Sequence, residues 1–403
     1  MARSSAEPTD DAQSAGQADA GQPDAGQPDA GQADDDTGTA DTVAGLARVA
    51  DWRAAFALAC RRQAAREAGP RTRMAAVRAV HAAAGDPAMI ASLDGLAGDA
   101  ALGPLPLGLR LVAAAAGGPS LDLSRAPARA WEAGIFPWLD ACDGDGIGRA
   151  MALLRPVVRA ETLADELLGL VERMPAAIPG DRFLDQPWRQ IQLARSPAAG
   201  TDRLLVCFAG ARGGIGMPCN VFHRWAAGTG AHVLYLRDPV HQDFRDGVAE
   251  AGPDWAALVR HVTRLAESLG VARVACWGNS IGGLAAARLA QALGPSRAVV
   301  AAGIATARVP AAGTGRGLPD ATAALAGAVR RQAVAAAAPA RILWFYARDH
   351  GPDAADAMRM ADVPGVVRKP LPTARHNVAA QLARSGRLAS TLAWVTGSGG
   401  DLP

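Results

Sequence analysis

Short apolar, β-branched runs alternate with helix-spaced segments through the second half of the chain. The runs cover residues 204–208, 232–236, 273–277, 298–302 and 342–346. Strands that alternate with helices are joined by crossover connections and form a mainly parallel sheet. Because the runs are apolar almost throughout, the pattern predicts helices on both faces of that sheet. Ligands of such sheets bind at the carboxyl ends of the strands, so we expect the functional residues in the loops after each strand.

Composition divides the 403 residues into three parts. Residues 1–41 repeat an Ala-Gly-Gln triplet, are rich in Asp and have few large apolar groups. Such a segment cannot bury enough surface to offset its ordering entropy, so we predict a disordered tail. Residues 42–180 show helical apolar spacing interrupted by Pro and Gly clusters, which predicts a helical accessory domain whose partner the sequence does not reveal. The α/β pattern occupies residues 181–403.

The strongest candidate for a reactive group follows the predicted strand at 273–277. Residues 278–283 read Gly-Asn-Ser-Ile-Gly-Gly, a GxSxG motif between a strand and a helix. The turn of such a motif is so tight that Gly278 and Gly282 must be very small residues. The same geometry lifts the hydroxyl of Ser280 clear of the sheet at a helix N-terminus, where developing negative charge is favoured. We predict Ser280 as a nucleophile; the alternative is a glycine-rich turn with an idle serine.

A serine nucleophile needs a base, and the base needs a partner that holds it in one tautomer. His376 lies after a last short strand and before a closing helix, so it is the predicted base, with His350 as its rival. Asp349 follows the preceding strand and is the predicted acid. Asp353 is the alternative acid, although it could instead cap the next helix.

The oxyanion that forms when a serine attacks a carbonyl needs backbone N–H donors. The first predicted donor is the N–H of Ile281, directly after the nucleophile. The second should come from the glycine-containing loop at 208–214, which follows an earlier strand. We favour Ala211 there, with Arg212 as the neighbouring alternative.

From about 185 to 397 the chain resembles the α/β-hydrolase superfamily. The resemblance is carried by the GxSxG turn at Ser280, the upstream Phe-Ala-Gly-Ala loop, the late Asp349 and the terminal His376, which stand in the chain order of that superfamily. It implies an eight-stranded type of sheet, which can lack its first strands, and acyl-ester or related chemistry. The sequence departs from many members in having Ala-Gly at 209–210, where a His-Gly pair often sits.

A second resemblance competes with the first. Residues 209–216 are similar to the dinucleotide loop of short-chain dehydrogenases, and Asp238 follows the next strand, where a ribose-binding acid would sit. Such enzymes use a Tyr-x-x-x-Lys pair, but neither Tyr235 nor Tyr346 has a lysine four residues later. Pro218 also falls where the helix that holds the pyrophosphate should already be forming. We therefore expect no cofactor.

Charge and cysteine content set the expected surroundings of the protein. The net charge of +2 gives no electrostatic reason to bind nucleic acid or an anionic membrane. The five cysteines form no CxxC pair, and the N-terminus lacks the apolar core of a signal peptide. No membrane span and no metal site with zinc spacing is predicted, and we expect a cytoplasmic protein.

These observations predict a serine hydrolase that cleaves a carboxylic ester or thioester of a small-molecule acyl substrate. Arg212 and Asp238 lie near the predicted active face and are candidates for substrate binding, although exposed loop charges are usually only solvated. An acyltransferase with the same acyl-enzyme is the alternative within the enzyme class. A scaffold protein with a degenerate hydrolase fold is the alternative from a different class.

Overall fold

The computed structural model describes residues 30–240, 242–294, 296–301, 303, 327, 329–331, 333–334 and 339–399. Most of the predicted tail, residues 1–29, lies outside the described residues. None of the described helices combines the length and the apolar composition needed to cross a membrane.

Helices make up the N-terminal region. They are α1 (Ala30–Arg48), α2 (Trp52–Ala64), α3 (Pro70–Ala82), α4 (Pro87–Leu96), α5 (Leu105–Ala115), α6 (Ala128–Leu139), α7 (Gly144–Leu154) and α8 (Leu163–Val171). Helix α5 is buried along nearly its whole length and crosses α6 so closely that a Cβ on Gly108 would lie 1.9 Å from the carbonyl oxygen of Gly134. The predicted helical character of this region is present in the structure.

Helix α1 begins at Ala30, before residue 41, where the tail was predicted to end. The side chain of Asp36 in α1 is buried and accepts hydrogen bonds from the backbone N–H groups of Arg71 and Thr72 at 2.9 and 3.0 Å. Those two N–H groups lie in the first turn of α3 and have no acceptor within their own helix. Composition could not reveal this contact, since its partner lies far along the chain.

Seven strands form one sheet within the described residues. They are β1 (Ile191–Ala194), β2 (Arg203–Phe208), β3 (His232–Leu236), β4 (Arg273–Asn279), β5 (Arg297–Ala301), β6 (Arg341–Ala347) and β7 (Val366–Leu371). Their order is β1-β3-β2-β4-β5-β6-β7, with β1 antiparallel to β3 and every other pair parallel. The predicted α/β-hydrolase fold with its mainly parallel sheet is confirmed. The edge strand β1 had no counterpart among the predicted strands.

Helices cover both faces of the sheet, as the apolar strands predict. Alternate strand residues point to opposite faces, so Cys207 and Trp277 belong to one hydrophobic cluster and Val206 and Cys276 to the other. The first cluster also contains the buried residues of α9 (Cys219–Ala227), α13 (Val378–Arg384), α14 (Leu388–Thr396) and the N-terminal helices. The second is closed by α10 (Trp255–Ser268), α11 (Gly282–Ala292) and α12 (Gly351–Arg359). One continuous core therefore joins the N-terminal helices to the sheet.

Candidate active site

The turn between β4 and α11 holds Ser280 in a strained backbone conformation. Its φ is +51°, in the left-handed region that a residue with a Cβ rarely adopts. Such a conformation costs about 1–2 kcal/mol and persists only where the surroundings impose it. Here the N–H of Ser280 donates to the carbonyl of Ala301 on β5 at 3.0 Å, and the carbonyl of Ser280 accepts from Gly283 at 2.9 Å. These two bonds fix the turn from the strand side and from the helix side.

The two glycines around Ser280 are required by close backbone contacts. A Cβ on Gly278 would lie 2.3 Å from the carbonyl oxygen of Gly282. A Cβ on Gly282 would lie 2.6 Å from the carbonyl oxygen of Phe208 and 2.8 Å from that of Ala209. Real Cβ atoms do not approach backbone oxygens so closely, so only glycine fits at either position. The structure thus supplies the steric reason that the sequence motif implied.

The structure brings His376 to Ser280. The Nε2 atom of the imidazole lies 2.9 Å from the hydroxyl oxygen of Ser280. His376 stands in the loop between β7 and α13, and the following residue, Asn377, caps that helix through a bond from the N–H of Ala380. Ser280 itself is almost buried, at 7% exposure, whereas a third of the His376 side chain is exposed. The imidazole is therefore the more exposed of the two groups.

The carboxylate that contacts His376 belongs to Asp353 and not to Asp349. The Oδ1 atom of Asp353 lies 2.6 Å from Nδ1 of the imidazole, and its side chain is 4% exposed. Asp349 is half exposed and forms an ion pair with the adjacent Arg348 at 3.0 Å. The prediction of Asp349 as the partner of the base is thus contradicted by the geometry, and the alternative residue occupies the position.

The direction of the chain after β6 explains why Asp353 contacts His376 and Asp349 does not. Asp349 lies in the turn, where its N–H donates to the carbonyl of Thr373 and its side chain extends into solvent. Helix α12 starts only at Gly351, and its first turn points Asp353 inward. The helix cap that the sequence offered as the role of Asp353 is filled by His350, whose Nδ1 lies 3.4 Å from the backbone nitrogen of Asp353. A count of residues after the strand could not distinguish these orientations.

His350, the rival base, contacts the same carboxylate. Its Nδ1 lies 2.9 Å from Oδ1 of Asp353, and the centre of its ring lies 5.6 Å from that of His376. The hydroxyl of Ser280 is in contact with the ring of His376 instead. Two imidazoles therefore share one carboxylate oxygen, which the sequence did not suggest.

The predicted oxyanion loop lies against the turn that carries Ser280. A Cβ on Gly210 would lie 2.9 Å from the side-chain nitrogen of Asn279 and 3.5 Å from Cβ of Ser280. Ala211 follows in this loop. Within the described part of the chain, the N–H groups of Ala211 and Ile281 donate to no acceptor. Both predicted donors are thus available to a ligand.

The two residues suggested for substrate binding have different surroundings. Asp238 is 9% exposed and accepts hydrogen bonds from the N–H groups of Val240 and Phe244 at 3.2 and 3.0 Å. These bonds fix the loop after β3, and the contact of Asp238 with substrate stays a prediction. Arg212 is exposed on the loop that follows β2.

Arg237 supports the predicted oxyanion loop from its buried side. Its Nε donates to the carbonyl of Gly213 in the oxyanion loop at 3.2 Å, and its buried guanidinium also pairs with Asp185. Burial opposes the charge of Arg237, but the neighbouring Cys219 and Asp185 outweigh it and raise the pKa of the guanidinium. The guanidinium of Arg237, which is permanently charged and has five N–H donors, thus holds the predicted oxyanion loop at Gly213.

Two further contacts tie the loop of His376 to its surroundings. The side-chain N–H of Asn377 donates to the carbonyl of Gly216 at 2.6 Å, which links this loop to the continuation of the predicted oxyanion loop toward α9. Arg375 forms an ion pair with Glu166 of α8, so the N-terminal helical region reaches the residue directly before His376. Neither contact is visible in the sequence, because each joins residues far apart in the chain.

The chain has only distant similarity to known proteins. No family model and no curated protein sequence matches the chain. Among solved structures, the 2,6-dihydroxy-pseudo-oxynicotine hydrolase is 13% identical, with a TM-score of 0.42 over 82% of this chain and 90% of its own. A hydrolase from Pseudomonas aeruginosa is 17% identical, with a TM-score of 0.31 over 50% of this chain and 92% of its own. The strand order and the turn at Ser280 carry the fold assignment.

Proposed function

We propose that the protein is a serine hydrolase that cleaves a carboxylic ester or thioester through an acyl-enzyme. One observation carries the proposal. Ser280, His376 and Asp353 form an unbroken series of contacts, 2.9 Å from hydroxyl to imidazole and 2.6 Å from imidazole to carboxylate. Nucleophile, base and orienting acid in contact are the arrangement that acyl transfer by a serine requires.

In the proposed mechanism, His376 removes the proton of Ser280 as its oxygen attacks the acyl carbonyl. Asp353 keeps the imidazole protonated at Nδ1, which leaves Nε2 free to accept that proton, and then stabilises the imidazolium. The N–H groups of Ile281 and Ala211 hold the oxyanion, and the positive end of α11 favours the same charge.

The second half of the reaction reverses these roles. The imidazolium of His376 gives its proton to the leaving alcohol or thiol, and the acyl group stays on Ser280. Water then enters, loses a proton to the imidazole and attacks the ester, so that the acid product leaves and Ser280 regains its proton. No step needs a cofactor, because proton transfer and charge stabilisation come from the protein.

The test begins with Ser280→Ala. Turnover of any ester or thioester that the wild-type protein cleaves should fall by roughly 10³-fold or more, because the covalent intermediate can no longer form. A fluorophosphonate should label wild-type protein at Ser280 and leave the variant unlabelled. Ser268→Ala, which truncates an exposed serine at the end of α10, is the matched control and should react as wild type does. Undiminished turnover in Ser280→Ala would refute the proposal.

The same assays distinguish the remaining alternatives. With an added alcohol or amine, transfer of the acyl group in preference to hydrolysis would identify an acyltransferase. A folded protein that takes up no probe would be a scaffold. We also propose a cytoplasmic location, which is supported by five cysteines that are all buried and unpaired.

A further inference from the structure

The proposed acid and two imidazoles beside it form a cluster of three side chains. Acyl transfer needs only the acid and one of the imidazoles. We call His350, Asp353 and His376 the acid cluster. Their ligand atoms, two imidazole nitrogens and a carboxylate oxygen, all lie within 4.8 Å of one another. The Nδ1 atoms of the two imidazoles lie 2.9 and 2.6 Å from the same oxygen, Oδ1 of Asp353. A serine hydrolase requires one imidazole on this carboxylate, and the helix cap that His350 provides does not require its imidazole to contact Oδ1 as well.

The other oxygen of the carboxylate is unsatisfied. Oδ2 of Asp353 is buried, and among the described residues no donor reaches it. A buried carboxylate oxygen without a partner is destabilising, because no hydrogen bond offsets its desolvation. One oxygen is thus shared by two imidazoles while its neighbour is unpaired. A cation placed between the three side chains would neutralise the buried carboxylate and replace the two short contacts at Oδ1.

We propose that the acid cluster is an inhibitory binding site for a divalent transition metal, with Zn²⁺ as the best match. Two imidazoles and a carboxylate are a ligand set that Zn²⁺ prefers, and three protein ligands leave a fourth position for water. About a third of each imidazole is exposed, at 32% and 33%, so an ion can enter from solvent. The metal is an inhibitor here and takes no part in the reaction.

The geometry needs a small adjustment to accept the ion. Bond lengths of about 2.0–2.2 Å around a tetrahedral ion separate its ligand atoms by roughly 3.3 Å. The two Nδ1 atoms must therefore move about half an ångström away from Oδ1 of Asp353. Both imidazoles are partly exposed and can turn by that amount, while Asp353 is held in the first turn of α12.

Inhibition follows from which nitrogen of His376 holds the metal. Coordination uses the lone pair of Nδ1, so the proton of the neutral imidazole moves to Nε2. An Nε2–H group can donate to the hydroxyl of Ser280 but cannot accept its proton. The metal also occupies Oδ1 of Asp353, which then no longer stabilises an imidazolium. The serine loses its base, and this consequence rests on the proposed function.

The experiment compares His350→Asn with the full-length wild-type protein. Asparagine preserves the helix cap at the start of α12 and removes only the imidazole. Zn²⁺ binding is measured by titration calorimetry and by the visible absorption of Co²⁺, which needs no turnover. We expect one ion per wild-type chain, and binding and inhibition each at least about tenfold weaker in His350→Asn. Inhibition is expressed relative to the metal-free turnover of each protein, because His350 contacts Oδ1 of Asp353 and its removal alone is expected to alter the rate.

His261→Asn, which removes a partly buried imidazole on α10, is the matched control and should bind as wild type does. Equal zinc binding in wild type and His350→Asn would overturn the proposal, as would activation by zinc. A large loss of metal-free turnover in His350→Asn with unchanged zinc binding would instead make His350 a positioning residue for Asp353. Metal binding without turnover of any ester would leave this site in place and refute only the hydrolase proposal.

Discussion

Backbone sterics fix the turn that carries Ser280, whereas side-chain packing fixes the turn that carries Asp353. Where β4 passes into α11, a Cβ on Gly278 or on Gly282 would collide with backbone oxygens, and the serine has a positive φ. From the end of β6 into the first turn of α12, three residues with suitable chemistry, Asp349, His350 and Asp353, lie within one short stretch. A turn constrained by backbone sterics has a sequence motif, whereas a turn constrained by side-chain packing has several equivalent candidates.

The sharpest test of this difference replaces each aspartate of the second turn. Asp353→Asn should lower kcat by about 10³–10⁴-fold, because an amide fails to hold the imidazole in the productive tautomer. Asp349→Asn should stay within about twofold of wild type, since its carboxylate is exposed and pairs only with Arg348. Steady-state kinetics of both variants measure the contrast. A larger loss in Asp349→Asn would return the role of the acid to that residue.

The second test adds a methyl group to one glycine in each turn. Gly282→Ala places a Cβ against two backbone oxygens that cannot move aside, so the free energy of unfolding should fall by about 3 kcal/mol. Gly351→Ala at the start of α12 meets nothing within 4 Å and should be neutral or raise stability by up to about 1 kcal/mol. Urea denaturation measures both values. Equal losses would show that the two turns are constrained alike.

The smallest effect concerns the link between the loop of His376 and the continuation of the predicted oxyanion loop. Asn377→Ser keeps an oxygen that can cap α13 but is too short to reach the carbonyl of Gly216. We expect kcat to fall by roughly tenfold, because small displacements in an active site reduce rate, while stability changes little. Asn377→Ala should lose the same activity and also about 1 kcal/mol of stability. Unchanged kcat in both variants would show that the link does not position the base.

The strands and the histidine that contacts Ser280 were predictable because each rests on local information. An apolar strand followed by glycines predicts its own turn, and His376 was identified from its place after the last strand. The edge strand β1 is short, and nothing in its composition separates it from a loop. The helical segment of α1 before residue 41 was missed because its anchor, the contact of Asp36 with α3, joins distant parts of the chain.

The sequence by itself determined the α/β fold, the turn at Ser280 and the presence of a late histidine. Each follows from sterics or from the order of elements, which neighbouring residues encode. Only the tertiary structure decided which aspartate meets His376, that a second imidazole shares its carboxylate, and that Arg237 and Asn377 hold the predicted oxyanion loop and its continuation. Those choices depend on the direction in which side chains leave packed helices, and that direction is set by contacts between residues far apart in the chain.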